Sequence, residues 1–179
     1  MTIHRAHKIE LIVNEKQEQY LKKAVGCARF AFNWGLNKWI QDYEAHKKDP
    51  SLPKPTQYSI RRELNAIKRE QFPWMLEVTK CAPQMSLIQL GQAFANFWKN
   101  TDHFKYPQFK KKNVNDSFTI SNDQFEVKGS RIRIPKLGWV RMREPLRFKG
   151  AKILWAKIAY TLTAAIIAPR QTMVRESVV

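Results

Sequence analysis

The run Arg131-Ile132-Arg133-Ile134-Pro135-Lys136-Leu137-Gly138-Trp139-Val140-Arg141-Met142-Arg143 decides how this 179-residue chain is organised. Each end alternates with period two, so both arginines of each segment fall on one face and the apolar residues fall on the other. The intervening Pro-Lys-Leu-Gly carries turn chemistry. The run therefore reads as two antiparallel strands with a basic face and a core face.

The same alternation extends outward. Residues 118–120, 125–127 and 152–160 read as further strands, with turns at Lys128-Gly129-Ser130 and Lys149-Gly150. Together they make an antiparallel sheet or small barrel. Residues 162–179 lose both the strand and the helix period and are expected to form a divergent, poorly packed tail.

Before Asn100 the period is near four. Asn14 followed three residues later by Gln17 is a capping box, which opens a first helix running to about Val25. A second helix, residues 26–48, carries Ala28, Phe32, Gly35, Leu36, Trp39 and Tyr43 on one face. The prolines at 50, 53 and 55 end it, since each lacks an amide donor. A mostly polar third helix, about 56–70, shows the narrow stripe Ile60, Leu64 and Ile67. A fourth starts near Cys81 with Leu87, Leu90, Gly91, Phe94, Phe97 and Trp98. Trp39, Phe94, Phe97 and Trp98 read as core rather than as a stacking platform. Ahead of the helices, Ile9, Leu11 and Val13 alternate as in a strand.

The fold class is thus α+β: a small antiparallel β-barrel interrupted by a four-helix insertion. The expected division is 1–13 with 114–161 for the β part, 14–100 for the helical part, 101–113 for a basic connecting loop and 162–179 for the tail.

Thirty-two Lys and Arg against 15 Asp and Glu give a net charge of +17, a self-repulsion that points to a polyanionic partner. Residues 101–160 hold 14 basic and five acidic side chains, so the surplus is densest in the β region. That region lacks a helical pattern with one basic face, which disfavours a membrane surface as the partner. No apolar run approaches the roughly 20 residues of a membrane helix, and the first ten residues lack the apolar core of a signal peptide. A cytoplasmic protein beside a bacterial or archaeal nucleoid is expected. The two cysteines, Cys27 and Cys81, form no C-x-x-C pair and fit buried thiols.

Two stretches have the chemistry to hold nucleic acid. Lys105, Tyr106, Phe109, Lys110, Lys111 and Lys112 interleave aromatics with lysines, which suits a phosphate backbone with unpaired bases stacked on the rings. A solvated loop is the alternative. The arginine face of Arg131, Arg133, Arg141 and Arg143 suits phosphates through bidentate guanidinium contacts. An ordinary solvated sheet face is the alternative there. Lys80 and Gln84, four apart at the start of the fourth helix, could enter a groove and meet base edges. No phosphate loop, nucleophile elbow, carboxylate pair in an apolar strand or metal-ligand cluster is encoded, so neither catalytic nor metal-binding residues nor a small-molecule substrate is expected.

Four ordered blocks resemble the TnpB/OrfB proteins of insertion-sequence transposons. Gly26-Cys27-Ala28-Arg29-Phe30-Ala31-Phe32-Asn33-Trp34-Gly35-Leu36 resembles the signature G-x-x-R-F-x-[YF]-N-x-x-L. The others are Glu77-Val78-Thr79-Lys80-Cys81-Ala82-Pro83-Gln84 with Phe94-Ala95-Asn96-Phe97-Trp98, then 106–112, then 134–140 including Lys136. The resemblance covers residues 5–160. It implies an RNA-guided DNA endonuclease in which a β-barrel wedge domain and a helical recognition domain grip a structured guide RNA and the DNA beside the target. It also implies that Lys80 and Gln84 help to read the transposon-adjacent DNA motif, and that the first helices form a helix-turn-helix. Pro83 departs from the family's usual aliphatic residue.

Past residue 160 the resemblance fades, and no counterpart of the metal-dependent RuvC nuclease domain or the zinc ribbon follows. A truncated or frameshifted gene product, inactive as a nuclease by itself and without a cofactor of its own, is expected. The alternatives are a nuclease whose catalytic half is a separate chain and a helix-turn-helix DNA-binding protein that works without RNA.

Overall fold

The computed structural model describes residues 5–148, 151–160 and 172–178. The chain opens with strand β1 (Arg5–Ile12), followed by helices α1 (Glu15–Lys48), α2 (Gln57–Gln71) and α3 (Cys81–Lys99). Strands β2 (Ser117–Ser121), β3 (Glu126–Lys128), β4 (Arg131–Ile134), β5 (Gly138–Met142), β6 (Ile153–Tyr160) and β7 (Thr172–Val178) complete it. Each of the five strands read from alternation after residue 117 is present within a residue or two of its expected ends.

The capping box stands as read: Gln17 N–H donates to Asn14 Oδ1 at 2.9 Å and Asn14 N–H to Gln17 Oε1 at 3.1 Å. The helix it opens does not stop at Val25, however. One helix of 34 residues runs through Gly26 to Lys48, in place of the two expected. The helical insertion therefore holds three α-helices, with a short 3-10 segment, Pro73–Glu77, between α2 and α3. Gly26 misled because glycine is the usual residue at a helix end. Here it has no positive φ, and a Cβ at its position would meet nothing within 4 Å.

Gly35 is different. A Cβ there would lie 2.4 Å from Leu87 Cδ2 and 3.1 Å from Leu90 Cδ2, so its bare backbone sets the close approach of α1 to α3. On the same seam Trp39 stacks on Phe94, ring centroids 4.4 Å apart. Trp98, expected in the core, lies at the rim, 51% exposed, with one side against Phe94. Phe97, also expected in the core, is half-buried, edge-to-face with Tyr106.

The sheet order is β2-β6-β7-β1-β5-β4-β3, antiparallel throughout, with β2 and β3 as its outer strands. Strand β1 joins the two halves, since residues 5–10 pair with β7 while Leu11 and Ile12 pair with β5. The segment expected to be a loose tail thus supplies β7, inserted between β1 and β6. The rest of that tail, residues 162–171 and 179, lies outside the described residues. One apolar cluster runs without a break from Leu36, Leu87 and Leu90 in the helices to Ile120, Ile132, Val140 and Ile158 in the sheet. Helices and sheet therefore share a core, and neither presents an apolar face to water at their junction.

Candidate nucleic-acid interface

Along β4 and β5 burial alternates as read: Ile132, Ile134, Val140 and Met142 are buried, and Arg131, Arg133, Trp139, Arg141 and Arg143 are exposed. Register then decides which charges meet. Lys128 faces Arg131 across β3 and β4, and Arg131 faces Arg141 across β4 and β5. This lines three cations across three adjacent strands. Like charges directly opposite are destabilising, and none of the three has an acidic partner among the described residues. Arg133 and Arg143 differ: Arg133 stands 3.9 Å from Glu126, and Arg143 Nε lies 2.5 Å from Glu10 Oε2. The four-arginine face of the sequence reading is thus split into two neutralised arginines and an unneutralised row that gains Lys128.

A second basic site lies at the start of α3. Tyr20, half-buried in α1, donates its hydroxyl proton to Pro135 O at 2.7 Å and accepts from Thr79 N–H at 2.9 Å. Burial pushes that hydroxyl up to about 12, partly offset by the Thr79 hydrogen bond, so it keeps its proton to donate. This bridge locks the segment before α3 to the β4–β5 turn, in which Lys136 adopts φ +66° and Gly138 φ +87°. Lys80 and Lys136 consequently line one cleft of about 270 Å³ with Lys68, Pro83 and Gln124. The Lys136 ammonium donates to Leu76 O. Gln84, one turn into α3 and half-buried, is not among the residues lining the cleft. Pro83 occupies the third position of α3, where a missing N–H costs little.

The loop after α3 is built on two signature residues of α1. Asn33 clamps the backbone of Lys110, accepting its N–H at 2.8 Å and donating to its carbonyl at 2.9 Å. Arg29 pairs with the buried Asp116 at 2.6 Å, and Asp116 also accepts from Asn113 N–H at 2.9 Å. Held this way, Lys110 turns inward with its ammonium 4.1 Å from the centre of the Phe32 ring. Burial, with the nearby Lys157, brings its pKa down to about 8. Tyr106 remains 39% exposed while packing edge-to-face against Phe94 and Phe97 at 5.4 and 5.3 Å. Lys105, Phe109, Lys111 and Lys112 are exposed.

The loop also closes a cleft that the sequence reading missed. Lys22, Lys23 and Arg29 of α1 line it with Lys112, Asn113 and Asp116, enclosing about 520 Å³. Lys22 and Lys23 form ion pairs with Glu18 and Glu77. Adjacent lysines about two turns before the signature arginine were the available signal. Their meeting with Lys112, 89 positions later, is a product of the fold.

Neither cysteine is chemically available: both are buried, and burial raises Cys27 to about 12. Among the described residues no three His, Cys, Asp or Glu side chains come together to hold a metal ion. No described helix is long and apolar enough to cross a membrane.

Residues 1–48 match the family model for the OrfB IS605 helix-turn-helix domain. The described part of that segment, from Arg5 on, is β1, the Asn14 cap and the single helix α1. Over 147 residues the chain is 30% identical to a curated Escherichia coli (strain K12) protein named "Putative RNA-guided DNA endonuclease InsQ". The aligned part is 82% of this chain and 35% of that relative, so the chain spans about a third of its length. The four blocks, the matched first 48 residues and this similarity along most of the chain agree: the chain belongs to the TnpB/OrfB family of insertion-sequence transposon proteins.

Proposed function

We propose that the chain is the nucleic-acid-gripping portion of a TnpB-like RNA-guided DNA endonuclease, holding a structured guide RNA and the DNA beside the target. The observation that carries this reading is the row Lys128, Arg131 and Arg141, three directly opposed cations that no acidic side chain among the described residues neutralises. A folded protein tolerates such a row at a cost, and a phosphate backbone removes that cost. Lys105, Lys111 and Lys112 extend the positive surface along the loop, with Phe109 available for stacking. Lys80, Lys136 and Gln84 are the candidates for contacting the transposon-adjacent DNA motif. No cleavage step is assigned to the described residues.

The test is a salt titration of binding to the RNA that co-purifies with the full chain, identified by sequencing. Affinity should fall steeply with salt, the slope of log K against log [salt] being about −0.7 per neutralised phosphate for single strands. Arg131→Gln and Arg141→Gln should each make the slope shallower by about that amount. A slope near zero in the wild type overturns the reading. DNA binding that survives RNase treatment would instead favour recognition of DNA without RNA, the function that the name of the matched helix-turn-helix domain suggests.

A further inference from the structure

The exposed tryptophans of this protein are not equivalent. Trp98 packs against Phe94, Trp39 and Tyr43, and Trp74 against Phe30 and Phe72. Trp139, 39% exposed on β5, has no ring or cation–π contact among the described residues. Its backbone is nevertheless held firmly, because Gln17, the capping-box residue, donates its side-chain N–H to Trp139 O at 3.1 Å. Trp139 sits directly opposite Arg133 and diagonally from Arg131, within the reach of an aromatic side chain. Trp139, Arg131 and Lys128 line a single hollow of about 400 Å³. An unpartnered indole face beside unneutralised cations has the two halves of a nucleotide's chemistry: a flat π surface for the base and positive charge for its phosphate.

We propose that this hollow is a seat for one unpaired nucleotide of a single strand, with the base stacked on Trp139 and the phosphate held by Lys128, Arg131 and Arg141. The inference rests on the nucleic-acid reading above and deepens it, because it assigns a single-stranded segment to this face and gives Trp139 and Lys128 roles that the proposed motif contacts do not include. Stacking is tolerant of base identity, since every base has a π face, so the seat selects unpaired from paired nucleotides rather than one sequence from another.

The test compares the full-length chain with its Trp139→Ala and Trp139→Phe variants. The probes are a mixed-sequence single strand of about 12 nucleotides, an abasic strand of the same length and a duplex. Trp139→Ala should weaken single-strand binding between about 5-fold and 150-fold, the worth of one stacked base. Binding to the abasic strand and the duplex, and the salt slope, should stay as in the wild type. Trp139→Phe should recover most of the loss, which a merely structural role for the indole would not produce. As a measurement independent of any variant, ultraviolet crosslinking of a 5-bromouracil-bearing strand to the wild type should map by mass spectrometry to Trp139.

Single-strand affinity of Trp139→Ala within twofold of wild type, an equal loss on the abasic strand, or crosslinks elsewhere alone would overturn the seat while leaving salt-dependent binding intact. Absence of salt-dependent binding to all three probes would instead remove the underlying nucleic-acid reading.

Discussion

Alanine placed at Gly26 and at Gly35, nine residues apart in one helix, should move stability in opposite directions. At Gly26 the new Cβ meets nothing within 4 Å. Glycine inside a helix costs about 0.5–1 kcal/mol relative to alanine, so Gly26→Ala should stabilise by that amount. For a chain of this size the gain is a rise of roughly 1–4 °C in Tm. At Gly35 the Cβ falls 2.4 Å from Leu87 Cδ2 and close to Leu90 and Ile60, all three fully buried with nowhere to retreat. Overpacking there costs about 1–3 kcal/mol, against up to about 1 kcal/mol regained in helix propensity. The net expectation is a loss of about 1–2 kcal/mol.

Urea denaturation followed by far-ultraviolet circular dichroism measures both, with the m-value checked for constancy. If Gly26→Ala lowers the midpoint, residue 26 sits in a turn with positive φ and α1 is not one helix. If both variants shift the same way, the close approach at Gly35 is not what that glycine serves.

Tyr20→Phe leaves the buried Thr79 N–H and the Pro135 carbonyl without their shared partner, so it should cost about 1–3 kcal/mol and speed amide exchange at Thr79. A loss below about 0.3 kcal/mol with unchanged exchange would show that the bridge does not hold Lys80 against Lys136. Lys110 has a folded pKa of about 8, below the roughly 10.4 of an unfolded lysine, so between these values the unfolded chain binds more protons than the native one. Wild-type stability relative to Lys110→Met should therefore rise with pH across that window, by up to about 1.4 kcal/mol per unit, and be level below pH 7.5. A difference that stays flat from pH 7.5 to 10.5 refutes the inward placement of the ammonium.

Local physics was legible where the residues themselves carry it. The β4–β5 alternation, the Asn14 and Gln17 capping box and the helical stripe of Leu87, Leu90 and Phe94 depend on spacing within one element, and each is present. Reading failed where a residue type has two uses. Gly26 resembles a helix end but sits in a helix interior, since nothing in its own chemistry forbids either. Trp98 continues a buried stripe past the point where its neighbours end. Lys110 has the composition of a nucleic-acid loop residue, yet Asn33 and Phe32 draw it inward. Residues 172–178, with no clear period, become a strand because β1 and β6 leave their edges free for one.

The sequence alone determined the order of strand, helices and sheet, the placement of surplus positive charge after residue 100, and the family blocks, because these need only composition and short-range spacing. Tertiary structure decided which charges remain available. Cross-strand register opposed Arg141 to Arg131 and Arg131 to Lys128, while it gave Arg133 and Arg143 to Glu126 and Glu10. Whether a cation is free for a phosphate depends on what lies within about 4 Å of it, and that distance is set by pairing between strands far apart in the chain.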